Sequence, residues 1–219
     1  MKRTIALLTL ALLTSCVESG PASRPSEDFE DMFTNSGELT GKYAGADAGF
    51  LVTALTSRPD IPYYSYSLNF RTKDRGATSS VWWGQADMLD VRKLDIDDNQ
   101  EKGIVEVRRL PPGEYEFFNF RVEMNTSFRE WWSSKKEFAI PFTIKPGEAT
   151  YVGEFMAVGV KGKNLFGLTV PDGAYFVLSN KIARDTDIAK RKEPGIVDVI
   201  SAVIDPGTLS NPLISAAVH

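Results

Sequence analysis

Strict alternation of apolar and polar residues constrains the fold of this chain more than any other feature. Tyr64, Tyr66, Leu68 and Phe70 are interleaved with Ser65, Ser67 and Asn69. Phe138, Ile140, Phe142 and Ile144 are interleaved in the same way with Ala139, Pro141 and Thr143. Successive side chains of a strand point to opposite faces, so a period of two predicts strands with one buried face. Proline has no N–H to give to a ladder, so Pro141 predicts an edge strand or a bulge. Further strands are expected over residues 49–55, 80–83, 104–110, 114–122, 150–160, 165–170 and 174–179. Within 114–122 the apolar phase slips, with Tyr115 and Phe117 on one face and Phe118, Phe120 and Val122 on the other. Either both faces are covered there or a bulge re-aims the strand.

The breaks carry turn chemistry: Pro111-Pro112-Gly113, Lys145-Pro146-Gly147 and Pro171-Asp172-Gly173. Proline presets φ at one corner and glycine supplies positive φ at the next. A single stretch reads as helix, 182–192. It lacks Gly and Pro, offers Asp187 and Arg191 as an i, i+4 pair, and ends at Pro194-Gly195. Residues 196–204 are apolar but short, strand or helix, and the tail 205–219 is expected to be irregular. Many short strands joined by such turns predict a mainly β chain, an antiparallel β-sandwich with a short C-terminal helix.

Leu110-Pro111-Pro112-Gly113-Glu114-Tyr115-Glu116-Phe117 resembles the "leucine, Pro-Gly, x, Tyr" segment of prealbumin-like sandwich domains, as in carboxypeptidase regulatory-like modules. The resemblance implies a Pro-Gly turn feeding a strand whose tyrosine packs inward. Gly147-Glu148-Ala149-Thr150-Tyr151-Val152-Gly153 is similar to segments of bacterial envelope lipoproteins of the same type. Both imply binding or scaffolding, with no catalytic residue to carry over.

At the N-terminus, Lys2 and Arg3 precede an apolar run over residues 5–13 and then Leu13-Thr14-Ser15-Cys16. The run is too short to span a bilayer, which takes about 20 apolar residues, and has the size of a signal h-region. The pattern resembles the signal peptide and lipobox of bacterial lipoproteins. That resemblance implies cleavage after Ser15, a covalent lipid on Cys16 and a membrane partner reached through it. In a Gram-negative cell, Val17 in place of Asp implies sorting to the outer membrane. Residues 16–40 are expected to form the lipidated cysteine and a flexible tether, and residues 41–204 the β domain with its helix. Phe29, Met32 and Phe33 are spaced for one turn of helix within the tether.

The formal charge is −4, and loss of Lys2 and Arg3 with the signal makes it more acidic by two. An acidic chain lacks the footprint of a nucleic-acid binder. With 42% hydrophobic residues and 13 Phe, the core is expected to be packed without disulfides, since Cys16 is the single cysteine.

Catalysis finds little support. His219 is the only histidine and the last residue, a poor place for a held general base. Ser133-x-x-Lys136 matches the Ser-x-x-Lys pattern of penicillin-binding enzymes without its companion motifs. A carboxylate pair for glycoside cleavage needs only two acids in a cleft, and 29 acids select none. Asp95, Asp97, Asn99 and Glu101 partly match calcium-loop spacing, but Gln100 stands where the loop needs glycine. The plainer reading is a solvated acidic hairpin loop, with no metal and no cofactor besides the lipid.

Trp82-Trp83 and Trp131-Trp132 are the candidate binding surface. Adjacent strand residues face opposite ways, so one tryptophan of each pair is expected inside and the other outside. An exposed Trp suits stacking on a sugar or a protein; the alternative is two core tryptophans, with their partners covering the sheet's second face. The chain is thus expected to be a non-catalytic envelope lipoprotein that binds an envelope protein or a cell-wall glycan. An envelope hydrolase using carboxylates is the alternative from another class.

Overall fold

A computed structural model describes residues 37–41, 43–60, 65–84, 93–125, 129–134, 136–209 and 214–216. Cys16 with Leu13, Thr14 and Ser15, the turn expected at 29–33, and His219 lie outside the described residues. The chain is mainly β, built from two sheets and one helix. Among the described residues no helix is long and apolar enough to cross a membrane.

The first sheet holds β1 (Gly49–Ser57), β4 (Ile96–Asp97), β5 (Lys102–Leu110), β9 (Ala149–Lys163), β10 (Thr169–Ser179), β11 (Val199–Ser201) and β12 (Ile214–Ala216). Its order is β12-β10-β9-β1-β5-β4, with β11 also on β9. The second holds β2 (Ser65–Thr72), β3 (Thr78–Gly84), β6 (Gly113–Asn125), β7 (Arg129–Ser133) and β8 (Ile140–Ile144), ordered β3-β2-β6-β7 with β8 also on β6. The inner faces share one core. Phe117 of β6 meets Phe155 of β9 at 5.5 Å between ring centroids, and Phe120 of β6 meets Phe176 of β10 at 4.8 Å. Helix α1 (Ile182–Lys192) covers the other face of the first sheet through Ile188 and Ala189, which pack with Phe50, Val52, Ala54 and Tyr151. Covered on both sides, β1 is buried at every one of its nine residues.

Antiparallel pairing predominates, but β1–β9, β11–β9 and β10–β12 are parallel. The chain leaves the first sheet after β5, builds most of the second, and re-enters beside β1 running the same way. Local turn signals carry no record of such long-range pairing. Pro111-Pro112-Gly113 and Lys145-Pro146-Gly147 are therefore crossings between sheets, not hairpins.

Bulges decide which side chains face the core. In β6, Asn69 pairs with Asn119 and Phe70 with Phe117, so Phe118 is the extra residue. Tyr115, Phe117, Phe120 and Val122 then all face one core, and Phe118 lies outside it beneath the Arg71 guanidinium at 4.3 Å. In β9, Val52 pairs with Tyr151 and Ala54 with Glu154, and Gly153 sits in the bulge at φ +113. The Thr53 hydroxyl donates to the Gly153 carbonyl at 2.8 Å. A one-residue slip exchanges the faces of a strand. Val152 and Phe155 thereby both reach the core, while Glu154 joins Tyr151 under the helix.

Several expectations are corrected. Pro171-Asp172-Gly173 is a bulge inside β10, with Gly173 at φ +94, because the ladder to β9 resumes at Ala174. Residues 165–168, expected within a strand over 165–170, lie in the β9–β10 turn instead. Residues 199–201 are strand β11, and the tail contains a 3₁₀ turn at Pro206–Thr208 and strand β12. Gly37–Thr40, expected in the tether, is a 3₁₀ turn whose Leu39 is buried in the core. Among the described residues, Asp187 and Arg191 form no ion pair; the helix is tied by Arg184 and Lys192. Helix α1 keeps its expected bounds, and β8 with Pro141 pairs on one side only.

Gly153→Ala forces a side chain into positive φ and sets its Cβ 2.6 Å from Leu178 Cδ1. The expected loss is about 2–3 kcal/mol, read as a lower denaturant midpoint with an unchanged slope.

Candidate functional site

The outer face of the second sheet is the candidate binding surface, and its ladder register assembles it. One rung runs Trp82, Ser67, Arg121, Ser133 across β3, β2, β6 and β7. The next on the same face runs Gly84, Ser65, Glu123, Trp131. The two tryptophans thus stand at opposite corners of a polar strip, three strand spacings apart, about 14 Å. Trp82 is 37% exposed and Trp131 41%. Their neighbours face inward: Trp83 stacks on Tyr66 at 4.9 Å, and Trp132 packs against the core beside Gly173. Each pair is therefore split between the two sides of its strand, and Trp83 and Trp132 drop out of the candidate surface.

The strip is ordered by its own contacts. A Cβ on Gly84 would fall 2.7 Å from Trp82 Cζ2, so this glycine lets the indole lie along the strand. The Arg121 guanidinium lies over the Trp131 ring at 5.0 Å and bonds Glu123, which also accepts from the Ser65 hydroxyl at 2.9 Å. Beyond Ser67, Asn69 is 2% exposed, and neither atom of its amide finds a hydrogen-bond partner among the described residues. Buried amides are seldom left so, and Asn69 stands out on this face for that reason. Sequence reasoning missed Arg121, Glu123 and Asn69. Only the alternation through 65–69 carried a trace of them.

A second cluster lies beneath helix α1. Arg184 bonds Glu101, Glu154 at 2.8 Å and Asp185 at 2.7 Å. Glu154 also accepts from the Ser179 hydroxyl at 2.7 Å and the Thr56 hydroxyl at 3.2 Å, and the Tyr151 hydroxyl donates to Asp185 at 2.7 Å. Burial, then the hydrogen bond and negative charge of Glu154, push the Glu101 carboxyl up to about 7. Burial alone would raise Glu154 too, but hydrogen bonds with Glu101, Arg184 and Ser179 outweigh it and hold that carboxyl below its ordinary value. Asp185 is raised, chiefly by burial. Below about pH 7, Glu101 thus holds a proton beside an ionised Glu154.

The acidic loop does not converge. Asp95 accepts from Val105 N at 2.9 Å and Lys192 Nζ at 2.6 Å, Asp97 faces Lys102 at 3.4 Å, and Glu101 turns to Arg184. Asp98 caps the backbone of Gln100 and Glu101, as in an ordinary polar hairpin, and Asn99 is exposed. Among the described residues no three His, Cys, Asp or Glu form a group able to hold a metal. Ser133 ends strand β7 and Lys136 lies exposed in the bend beyond it.

No protein-family profile matches the chain, and no curated protein does. Among solved structures, a leucine-rich repeat protein from Bacteroides thetaiotaomicron VPI-5482 aligns over 50% of this chain at 12% identity and a TM-score of 0.32. The chain covers 14% of that protein, a likeness too slight to bear on fold or role.

The proton on Glu101 makes stability depend on pH. Its pKa is higher folded than unfolded, so the folded state holds an extra proton between about pH 4.5 and 7, and stability falls as pH rises through that window. After allowance for solvent screening, the fall is on the order of 1 kcal/mol, or about 2–4 °C in melting temperature. Glu101→Gln is expected to flatten the melting profile between pH 5 and 8.

Proposed function

We propose that the chain is a lipid-anchored envelope lipoprotein whose β-sandwich, of the prealbumin-like or immunoglobulin-like kind, binds rather than catalyses. The anchor reading rests on Leu13-Thr14-Ser15-Cys16, and the sandwich reading on two sheets that share one core. The inward Tyr115, whose hydroxyl donates to the Pro111 carbonyl at 2.7 Å, fits the resemblance. The observation that carries the binding reading is the pair Trp82 and Trp131, set at opposite corners of a strip containing Arg121 and Glu123. Indole faces take the C–H faces of sugar rings, and the guanidinium and carboxylate between them suit hydroxyls. A cell-wall glycan is the ligand class this chemistry fits best.

A hydrolase reading has one observation in its favour, the protonated Glu101 beside ionised Glu154. Glycosidase carboxyls stand apart to admit the substrate, about 5 Å or more. Here the two share a hydrogen bond, and Glu154 is buried beneath Arg184, Thr56 and Ser179. Such a pair serves packing better than turnover.

Sedimentation with insoluble peptidoglycan tests the reading. The chain is expected in the pellet, with Trp131→Ala and Trp82→Ala each weakening binding by about tenfold, the order of a lost stacking contact. Retention unchanged in both variants would remove the strip from the binding reading. Release of soluble fragments, lost in Glu101→Gln, would replace it with hydrolysis.

A further inference from the structure

The end of the β9–β10 hairpin has no part in the body of the protein. β1 leaves β9 after Ala157, and β12 meets β10 only from Phe176 onward. Beyond these points β9 and β10 run on as two strands alone, paired to Lys163 and Thr169. Eight residues from Ala157 to the tip carry the ribbon about 20–25 Å past the third strand. A two-stranded ribbon is marginal in water and would be expected to end in polar residues. This one ends in Asn164-Leu165-Phe166-Gly167-Leu168.

The apolar side chains there do not build the turn. Asn164 Oδ1 accepts from the N–H groups of Phe166 and Leu168, each at 3.0 Å, and Gly167 supplies φ +74. Leu165 is fully exposed, Phe166 87% and Leu168 62%. Three large apolar groups on one protruding tip mark a contact surface.

Charge selects the contact. Lys161 and Lys163 stand just behind the tip, both exposed, with Lys163 Nζ bonded to Thr169 Oγ1 at 2.8 Å. The ribbon's one acid is Asp172, set back against Gly162, and from Lys161 to Thr169 the chain carries no acid although its formal charge is −4. We propose that this ribbon is a membrane-docking arm, its Leu165-Phe166-Leu168 tip entering the interface of an anionic bilayer while Lys161 and Lys163 meet the lipid phosphates. Apolar residues seated at the headgroup boundary with lysines reaching back to phosphate are the arrangement by which peripheral segments hold a membrane. The arm is separate from any lipid on Cys16 and from the Trp82–Trp131 strip. In an anchored protein it would give a second, orienting contact with the same kind of surface.

The test uses residues 17–219, which contain the whole described body and no acylation site. Sedimentation is run with vesicles of phosphatidylglycerol and phosphatidylcholine mixed, and of phosphatidylcholine alone. Binding is expected to the anionic vesicles, about tenfold weaker to the neutral ones, and weakened by salt. Leu165→Ser with Phe166→Ser should reduce it about tenfold or more at an unchanged melting temperature, since neither residue packs on the body. Lys161→Glu with Lys163→Glu should reduce anionic binding only. Failure to bind anionic vesicles would overturn the proposal, as would binding that survives the loss of Leu165 and Phe166. Self-association of the unaltered chain that disappears in the Leu165→Ser, Phe166→Ser variant would assign the tip to a second copy instead. None of these outcomes touches the peptidoglycan experiment.

Discussion

The bulge at Gly153 governs the rest of this structure. Strand β9 lies in the middle of the seven-stranded sheet and serves two interiors, the aromatic core on one face and the helix on the other. Regular alternation from Val152 would have turned Glu154 into a core of phenylalanines and Phe155 toward the helix. One extra residue at positive φ exchanges them. A carboxylate buried among apolar rings would cost several kcal/mol. Under the helix the same group meets Arg184, Ser179 and Thr56, which supply the donors that its lone pairs need.

That exchange also explains how so short a helix is held. α1 buries only Ile188, Ala189 and Asp185, and at its start the Asn180 side chain accepts from the Ile182 N–H at 3.1 Å. Its remaining attachment is polar: Arg184 grips three carboxylates from β9, its own helix and the β4–β5 loop, while Lys192 reaches Asp95 and the Val105 carbonyl. Buried ion pairs add little net stability over an apolar contact, but they admit few alternative registers. The helix is better understood as positioned by this network than as driven onto the sheet by area. The raised Glu101 carboxyl follows first from burial and then from the neighbouring Glu154 carboxylate in the same network.

Much of the fold was legible because the strands facing one core obey a period of two. The alternation around Phe70 and Ile140 marked β2 and β8 correctly, and Pro194-Gly195 ended the helix where expected. What escaped was whatever depends on partners distant in sequence. Glycine with positive φ reads alike in a turn and in a bulge, so Gly173 suggested a chain reversal that the ladder to β9 does not permit. The part of the binding strip that β6 supplies was invisible for the same reason. Arg121 and Glu123 acquire a role only because β6 lies between β2 and β7, bringing them between Trp82 and Trp131. The split of each tryptophan pair, by contrast, needed only the geometry of a strand.

The two sheets face different duties. The first is covered on both sides and spends its outer face on the helix, so its free surface lies at its end, where the β9–β10 ribbon runs past every neighbour. The second turns one face to the shared core, and its other face carries indoles, a guanidinium and an amide where a solvated sheet would carry small polar residues. Folding gains nothing from an unpartnered Asn69 or from a fully exposed Leu165. Each costs stability in isolation, and they lie on different sheets, on surfaces of opposite chemistry. Two such departures from what folding favours argue for two separate contacts, one polar and aromatic, the other apolar and cationic, made by one rigid body.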